Sequence, residues 1–413
     1  IIIRIIIRII IMVRHLKLII ILAFTLAGDI LFGLALIWRV LALDGSAKTL
    51  GLFLCVITLV TFALQKSSVG FRRMLEKTPR RSFMWIRGVG VGFSIIFIPL
   101  LWHETTWLLY LVGAIATIIN FLSILTLEAM IAHEVLEKRI SSNKASRILQ
   151  IAILTSSFLG ASLLGTILAL GNIVAVLLFC IATYLVGAIC FSTQSDVGIQ
   201  KISQVQTAKT ASNQKMTYGN NLSVLRLAFI GLTLLMTQVS AFNFLLPLIA
   251  QHEKFWTASQ YGFIDAAAEL GGFLATIIMF EKGIFSKLWI FAFLGIALVD
   301  ILFFAVTDIY LICTATLFLG FCVSCFRIKQ REYIYDSVSN TEEILEWTGR
   351  ITAMTAIIKA LTPLGLAFFI SQPSFDLMII GIVVGTVMLI VTSVLYFYTN
   401  KEFKQQIPSY SSV

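Results

Sequence analysis

Charge is what this chain has little of. Asp, Glu, Lys and Arg make up 13% of its 413 residues, hydrophobic residues make up 59%, and the mean hydropathy is +0.96. That leaves too little polar surface to coat a soluble globule, whereas lipid accepts apolar side chains without penalty. Catalytic sets are also missing from the sequence. There is no paired His, nucleophile elbow or metal-ligand cluster, so an enzyme reading has no machinery to rest on. No G-x-x-x-x-G-K-[ST] occurs, so ATP is not expected as the direct fuel, and no cofactor is expected. The six cysteines all lie in apolar runs and behave there as small hydrophobes. Cys322 and Cys325 form a C-x-x-C, but no second pair or nearby His completes a zinc set, so no metal is expected. The net charge of +10 is spread along the chain rather than gathered on one face, so no nucleic-acid partner is expected.

What is present is an alternation of apolar runs, each about twenty residues long, with short polar breaks. Each run can cross about 30 Å of hydrocarbon, and the expected partners of such a chain are membrane lipids. The pattern predicts an all-α membrane protein with twelve spans, near 16–38, 49–66, 82–101, 106–128, 147–170, 172–193, 222–248, 258–280, 287–306, 309–326, 351–371 and 376–399. Of the 31 Lys and Arg residues, all but Arg39, Lys48, Lys254 and Lys359 fall in or beside alternate breaks and the tails. This bias predicts that both termini are cytoplasmic.

The longest polar gap is rich in Ser, Gln, Thr and Lys and reads as a flexible linker. The expected organisation is an N-terminal segment 1–15, a six-helix bundle 16–193, a cytoplasmic linker 194–221, a second six-helix bundle 222–399 and a tail 400–413. Residues 1–11, Ile-rich with Arg4 and Arg8, read as a translation artefact upstream of a natural start at Met12. No small-residue cleavage site precedes the first span, which is expected to act as an uncleaved anchor. Six spans plus six around a linker is the repeat pattern of a two-bundle transporter. The acidic group Glu342, Glu343 and Glu346 reads as a solvated face of a short surface helix.

Several segments carry a family resemblance. They are Leu26-Ala27-Gly28-Asp29-Ile30-Leu31-Phe32, Ala129-Met130-Ile131 followed by Ser146 to Gly165, and Ala241-Phe242-Asn243 with Leu246-Pro247-Leu248. Further on come Gln260-Tyr261-Gly262-Phe263, Gly349-Arg350 and Pro363-Leu364-Gly365. In this order and spacing the chain resembles the major facilitator superfamily from about Met12 to Tyr398. Within it, the resemblance is to the bacterial branch that holds macrolide-efflux and enterobactin exporters. It implies two pseudo-symmetric bundles, alternating access, a monomer in the bacterial inner membrane, and drug-like or siderophore cargo. The superfamily's loop between helices two and three is represented by Arg72, Glu76-Lys77-Thr78-Pro79 and Arg80-Arg81. Its acid–base skeleton is kept without the glycines, and the resemblance implies a cytoplasmic gating latch built from Glu76, Lys77, Arg80 and Arg81. Gly160-Ala161 stands where the helix-five antiporter motif has Gly-Pro. An antiporter's direction of export therefore rests on the branch resemblance.

An ionisable side chain in hydrocarbon costs several kcal/mol and needs a partner, a water-filled cavity or a task. Asp29, about two-thirds of the way across the first span, is either a protonation or substrate-cation site facing the cavity or a structural acid bonded to neighbouring helices. Asp265 and Glu269 lie four residues apart on one helix face and repel each other, which is either the arrangement of a proton carrier or one in which Asp265 reaches the outer interface and only Glu269 is buried. Lys359 lies at a depth close to that of Glu269. The resemblance places both of their helices beside the cavity, so a Lys359–Glu269 ion pair is expected. Arg87 and Arg39 are expected to snorkel to lipid headgroups, and Glu128 to form a rim pair with Lys138 or Arg139. Asp300 is expected to turn inward. Asn120 and Asn243 could bond substrate or act as interhelical glue. Phe242, Phe244 and Tyr261 form either an aromatic cavity wall or ordinary packing.

These features predict proton-coupled export of a small amphipathic molecule by rocking of the two bundles. Import of a siderophore or nutrient by the same fold is the first alternative. A lipid flippase or transport-inactive sensor is the alternative from another class.

Overall fold

A computed structural model describes residues 2–67, 78–101, 105–136, 142–192, 221–278, 308–337 and 341–371, with isolated positions between 295 and 387. Among the described residues the chain is helical and has no strand. The helices are α1 (Ile2–Asp44), α2 (Ala47–Ser67), α3 (Pro79–Leu101), α4 (Thr106–Leu136), α5 (Ser142–Ser192), α6 (Asn221–Leu248), α7 (Ala258–Ile278), α8 (Ile309–Ser337) and α9 (Thr341–Ile370). A π-helical turn, Ile249–Glu253, follows α6 just after Pro247, which lacks the N–H that would continue the ladder.

Nine stretches among the described residues are long and apolar enough to cross a membrane. They match nine of the twelve expected spans. α6 covers the expected seventh span, whereas most of 287–306 and of 376–399 lies outside the described residues. Outside them too lie the linker 194–220, the tail, Glu76, Lys77, Lys138, Arg139 and Asp300. The side chains of Glu128, Glu342, Glu343 and Glu346 also stand outside the description.

Helix ends follow local chemistry. α1 runs past the predicted limit at residue 38 and stops at Asp44, because Gly45 adopts φ +62° and its N–H bonds the Leu41 carbonyl at 2.7 Å. α1 also begins before residue 16, so part of the expected N-terminal segment is helical. α8 starts at Asp308, whose Oδ1 accepts from the Tyr310 and Leu311 N–H groups at 2.9 and 3.0 Å.

α5 holds two spans, Ile148–Leu168 and Ile173–Ser192, and doubles back between them. Gly160 presses against the Ala27 carbonyl of α1, while Cys180 bonds the Gly28 carbonyl at 3.2 Å, one residue away. A straight helix would hold residues 160 and 180 about 30 Å apart.

The packing brings α1 against α5 and α4, α3 against α5 and α4, α7 against α8, and α6 against α9 and α8. The two most extensive contacts between the segment before residue 193 and the segment after 221 are α5 with α7 and α2 with α9, and smaller ones run from α1 and α2 to α6. Small residues let the backbones meet there. A Cβ on Gly262 of α7 would run into the Ala161 carbonyl of α5, and one on Gly51 of α2 would lie 2.9 Å from the Pro363 carbonyl of α9. Outward-facing positions such as Trp85, Val89 and Ile96 of α3 and Leu178 and Ile189 of α5 are exposed and apolar, as lipid contact requires.

Candidate functional site

α7 positions both acids of the charged group. A capping box sets its start: Thr257 N–H donates to Gln260 Oε1 at 2.9 Å, and Gln260 N–H donates to Thr257 Oγ1 at 3.3 Å. From that start Tyr261, Asp265 and Glu269 follow at four-residue steps along one face. Thr257→Ala is expected to cost about 1 kcal/mol of stability, read from the unfolding midpoint in micelles.

Tyr261 is buried and stacks on Trp38 of α1, with centroids 5.4 Å apart and rings inclined by 23°. The backbone carbonyl of Trp38 also accepts from Gln251 Nε2 at 3.0 Å. Both contacts cross between the two segments at the end of the bundle that carries Asp44. Beside them a cleft of 510 Å³ is lined by Trp38, Arg39, Gly165 and Ser259.

Below Tyr261, Asp265 and Glu269 are half-buried. Among the described residues neither carboxylate has a hydrogen bond or an ion pair. Glu269 feels the charges of Asp265, Arg327 and Lys359. The expected Lys359–Glu269 pair is therefore an electrostatic neighbourhood and not a contact, since no Nζ–carboxylate distance reaches the 4.0 Å of a salt bridge. Lys359 lies within a candidate span and is exposed.

Arg327 completes this group, although its sequence position puts it at the edge of a polar gap. α8 continues as helix to Ser337, which keeps Arg327 within the span Ile309–Ile328, and its guanidinium reaches Met236 Sδ at 3.8 Å. A helix-forming run past the apolar stretch is the sequence signal that would have found it.

Asp29 belongs to a different arrangement. Its Oδ2 accepts from Arg87 Nη1 at 2.7 Å and its Oδ1 from the Tyr184 hydroxyl at 2.6 Å. The Asp29 and Arg87 side chains are 1% and 0% exposed. The guanidinium carbon lies 5.0 Å from the Phe83 ring centroid and 5.1 Å from that of Tyr184, so two aromatic faces cover the cation. Arg87 thus does not snorkel to lipid phosphate. It lies eight residues inside α3, too deep for the headgroups, and meets a carboxylate at its own level. Asp29 is also shallower than expected from the Pro79 end, because α1 runs six residues further than predicted. Of the two roles open to Asp29, this geometry is that of an acid tied to neighbouring helices, α3 and α5.

Phe242 and Phe244, like Tyr261, are buried in the core cluster and form packing, not an open aromatic wall. Asn120 is half-buried on α4, and Asn243 is exposed on α6. Of the loop residues, Arg80 and Arg81 open α3, with Arg81 exposed. Tyr184 has no sequence signal apart from its depth, which matches that of Asp29. No protein-family model and no curated protein matches the chain.

Proposed function

We propose that this chain is a proton-coupled secondary transporter that moves a small amphipathic molecule by alternating access between two six-helix bodies, 16–193 and 222–399. The observation that carries the reading is the group Asp265, Glu269 and Lys359. All three lie in candidate spans, all are partly accessible, and among the described residues none is held by a side-chain hydrogen bond or an ion pair. Charges left this way at such depth require a wetted cleft and a use. Asp265 and Glu269 are the proton carriers, and Lys359 with Arg327 supplies the balancing charge.

The packing supports two repeated bodies. In the expected numbering, α5 against α7 joins spans five and eight, and α2 against α9 joins spans two and eleven. A shift of six spans exchanges these two pairs, as a pseudo-two-fold repeat requires. The Trp38–Tyr261 stack closes the Asp44 end, which the distribution of Lys and Arg makes the outer one. A cleft reaching the charge group would then open toward the cytoplasm. Membership of the macrolide-efflux and enterobactin-exporter branch, the bacterial inner membrane, a monomeric state and the export direction come from the family resemblance.

The test is cargo accumulation in inverted membrane vesicles with and without an imposed pH gradient. Accumulation that needs the protein and collapses with the gradient supports the reading. Indifference to the gradient, or no movement of any molecule in a broad cargo screen, removes it.

A further inference from the structure

The connection between α6 and α7 is short and anchored at both ends. It leaves Pro247 as the π-helical turn Ile249–Glu253 and ends at Thr257, which caps α7. Ile249 and Ala250 are buried, Trp256 packs on the core cluster, and the Trp256 N–H donates to the Ala250 carbonyl at 2.7 Å. Between these anchors Phe255 adopts φ +50°, and among the described residues no other non-glycine has a positive φ. Left-handed backbone crowds a Cβ against the following carbonyl, so a helix end ordinarily places glycine there. Burial of the ring does not offset that cost, because Phe255 is 82% exposed. Such strain persists only where the surrounding structure holds it.

The holding contacts reach both halves of the chain. Gln251 Nε2 donates to the Trp38 carbonyl at 3.0 Å and His252 lies against Gly45, so two successive residues grip the end of α1. Lys254 Nζ donates to the Val306 carbonyl at 3.3 Å, just before α8. Tyr261, in the first turn of α7, stacks on the same Trp38. The strained residue therefore lies between a grip on the first half and the start of the helix that carries Asp265.

We propose that Ile249–Thr257 is a sprung strap across the Asp44 end, held shut by its grip on α1 and biased toward release by the backbone of Phe255. The strap rests on the transport reading, which makes this end the outer gate, and adds the element that sets how readily the gate opens. While Gln251 holds the Trp38 carbonyl, Phe255 stays left-handed and Tyr261 stays on Trp38. When that bond breaks, Phe255 relaxes to negative φ, the strap swings off α1, and Tyr261 parts from Trp38.

The experiment uses the full chain with its six cysteines replaced and Asp265→Cys placed below the stack. Labelling by a membrane-impermeant thiol reagent is timed in right-side-out vesicles, where the Asp44 end faces the reagent. Phe255→Gly removes the strain and keeps every grip, so labelling is expected to slow about five-fold or more. Phe255→Ala removes the ring but keeps a Cβ at positive φ, so its rate should stay within about two-fold of the parent. Gln251→Leu removes the bond to Trp38 and should speed labelling several-fold. Equal slowing by Phe255→Gly and Phe255→Ala would trace the effect to the ring. Unchanged or faster labelling in Phe255→Gly would show that no strain biases the gate. Unchanged or slower labelling in Gln251→Leu would show that the strap does not hold the end shut. Each of these overturns the strap, while labelling of the parent in right-side-out and in inverted vesicles leaves transport standing. If no folded variant is labelled in right-side-out vesicles, the opening itself is removed, and the transport reading falls with the strap.

Discussion

Arg87→Gln is expected to destabilise the protein by about 3–5 kcal/mol, because it strands the Asp29 carboxylate in a site sealed from solvent. Both side chains are essentially sealed, and among the described residues the remaining lone pairs of Asp29 have only the Tyr184 hydroxyl. Asp29→Asn should cost a similar amount, since it leaves a guanidinium with two ring faces and no counter-charge. Tyr184→Phe removes one hydrogen bond to a charged group and should cost about 1.5–3 kcal/mol. The apolar pair Asp29→Leu with Arg87→Met should recover most of either single loss, because it removes both desolvation penalties together. Unfolding midpoints in detergent give the comparison. Single variants within about 1 kcal/mol of the parent would mean that the three side chains do not pin α1, α3 and α5 together. Transport retained by the double variant would confirm that Asp29 holds the bundle and carries no proton.

Glu269→Gln is expected to abolish accumulation driven by a pH gradient, while exchange of cargo down its own gradient persists. The amide keeps the side chain's size but cannot take up or release a proton, so the translocating step survives and its coupling does not. Lys359→Ala should also impair accumulation. The two substitutions should combine non-additively by more than about 0.5 kcal/mol, since each charge acts on the other through space. Strictly additive effects would show that the two charges work independently. Full gradient-driven accumulation in Glu269→Gln would move the coupling site elsewhere.

The apolar alternation gave the helical membrane class directly, because a run of about twenty apolar residues has few other solutions. It was less informative about individual charges, since sequence neighbours do not show what lies at the same depth on another helix. Arg87 stands near the basic residues Arg80 and Arg81, which sends it to the membrane surface. Counting along the helices as the structure bounds them sends it to Asp29. From the Asp44 end, Asp29 lies about 22 Å in, Arg87 about 20 Å from Leu100, and Tyr184 about 17 Å from Ile173, at 1.5 Å per residue. The same counting brings Glu269 and Lys359 together, where it proves right about neighbourhood and wrong about contact. Contact depends on helix rotation, which four-residue spacing on one helix leaves open. The aromatics are a similar case. Phe242 and Phe244 flank Asn243, and the helical turn sends Asn243 to the accessible side and both rings into the core.

Alternating access requires a cleft that reaches the α7 carboxylates from each side of the membrane in turn. Its most direct test is Asp265→Cys in a chain with the native cysteines replaced, treated with a membrane-impermeant thiol reagent in right-side-out and in inverted vesicles. Labelling in both preparations is the predicted result. Labelling from neither side in a folded protein would contradict it.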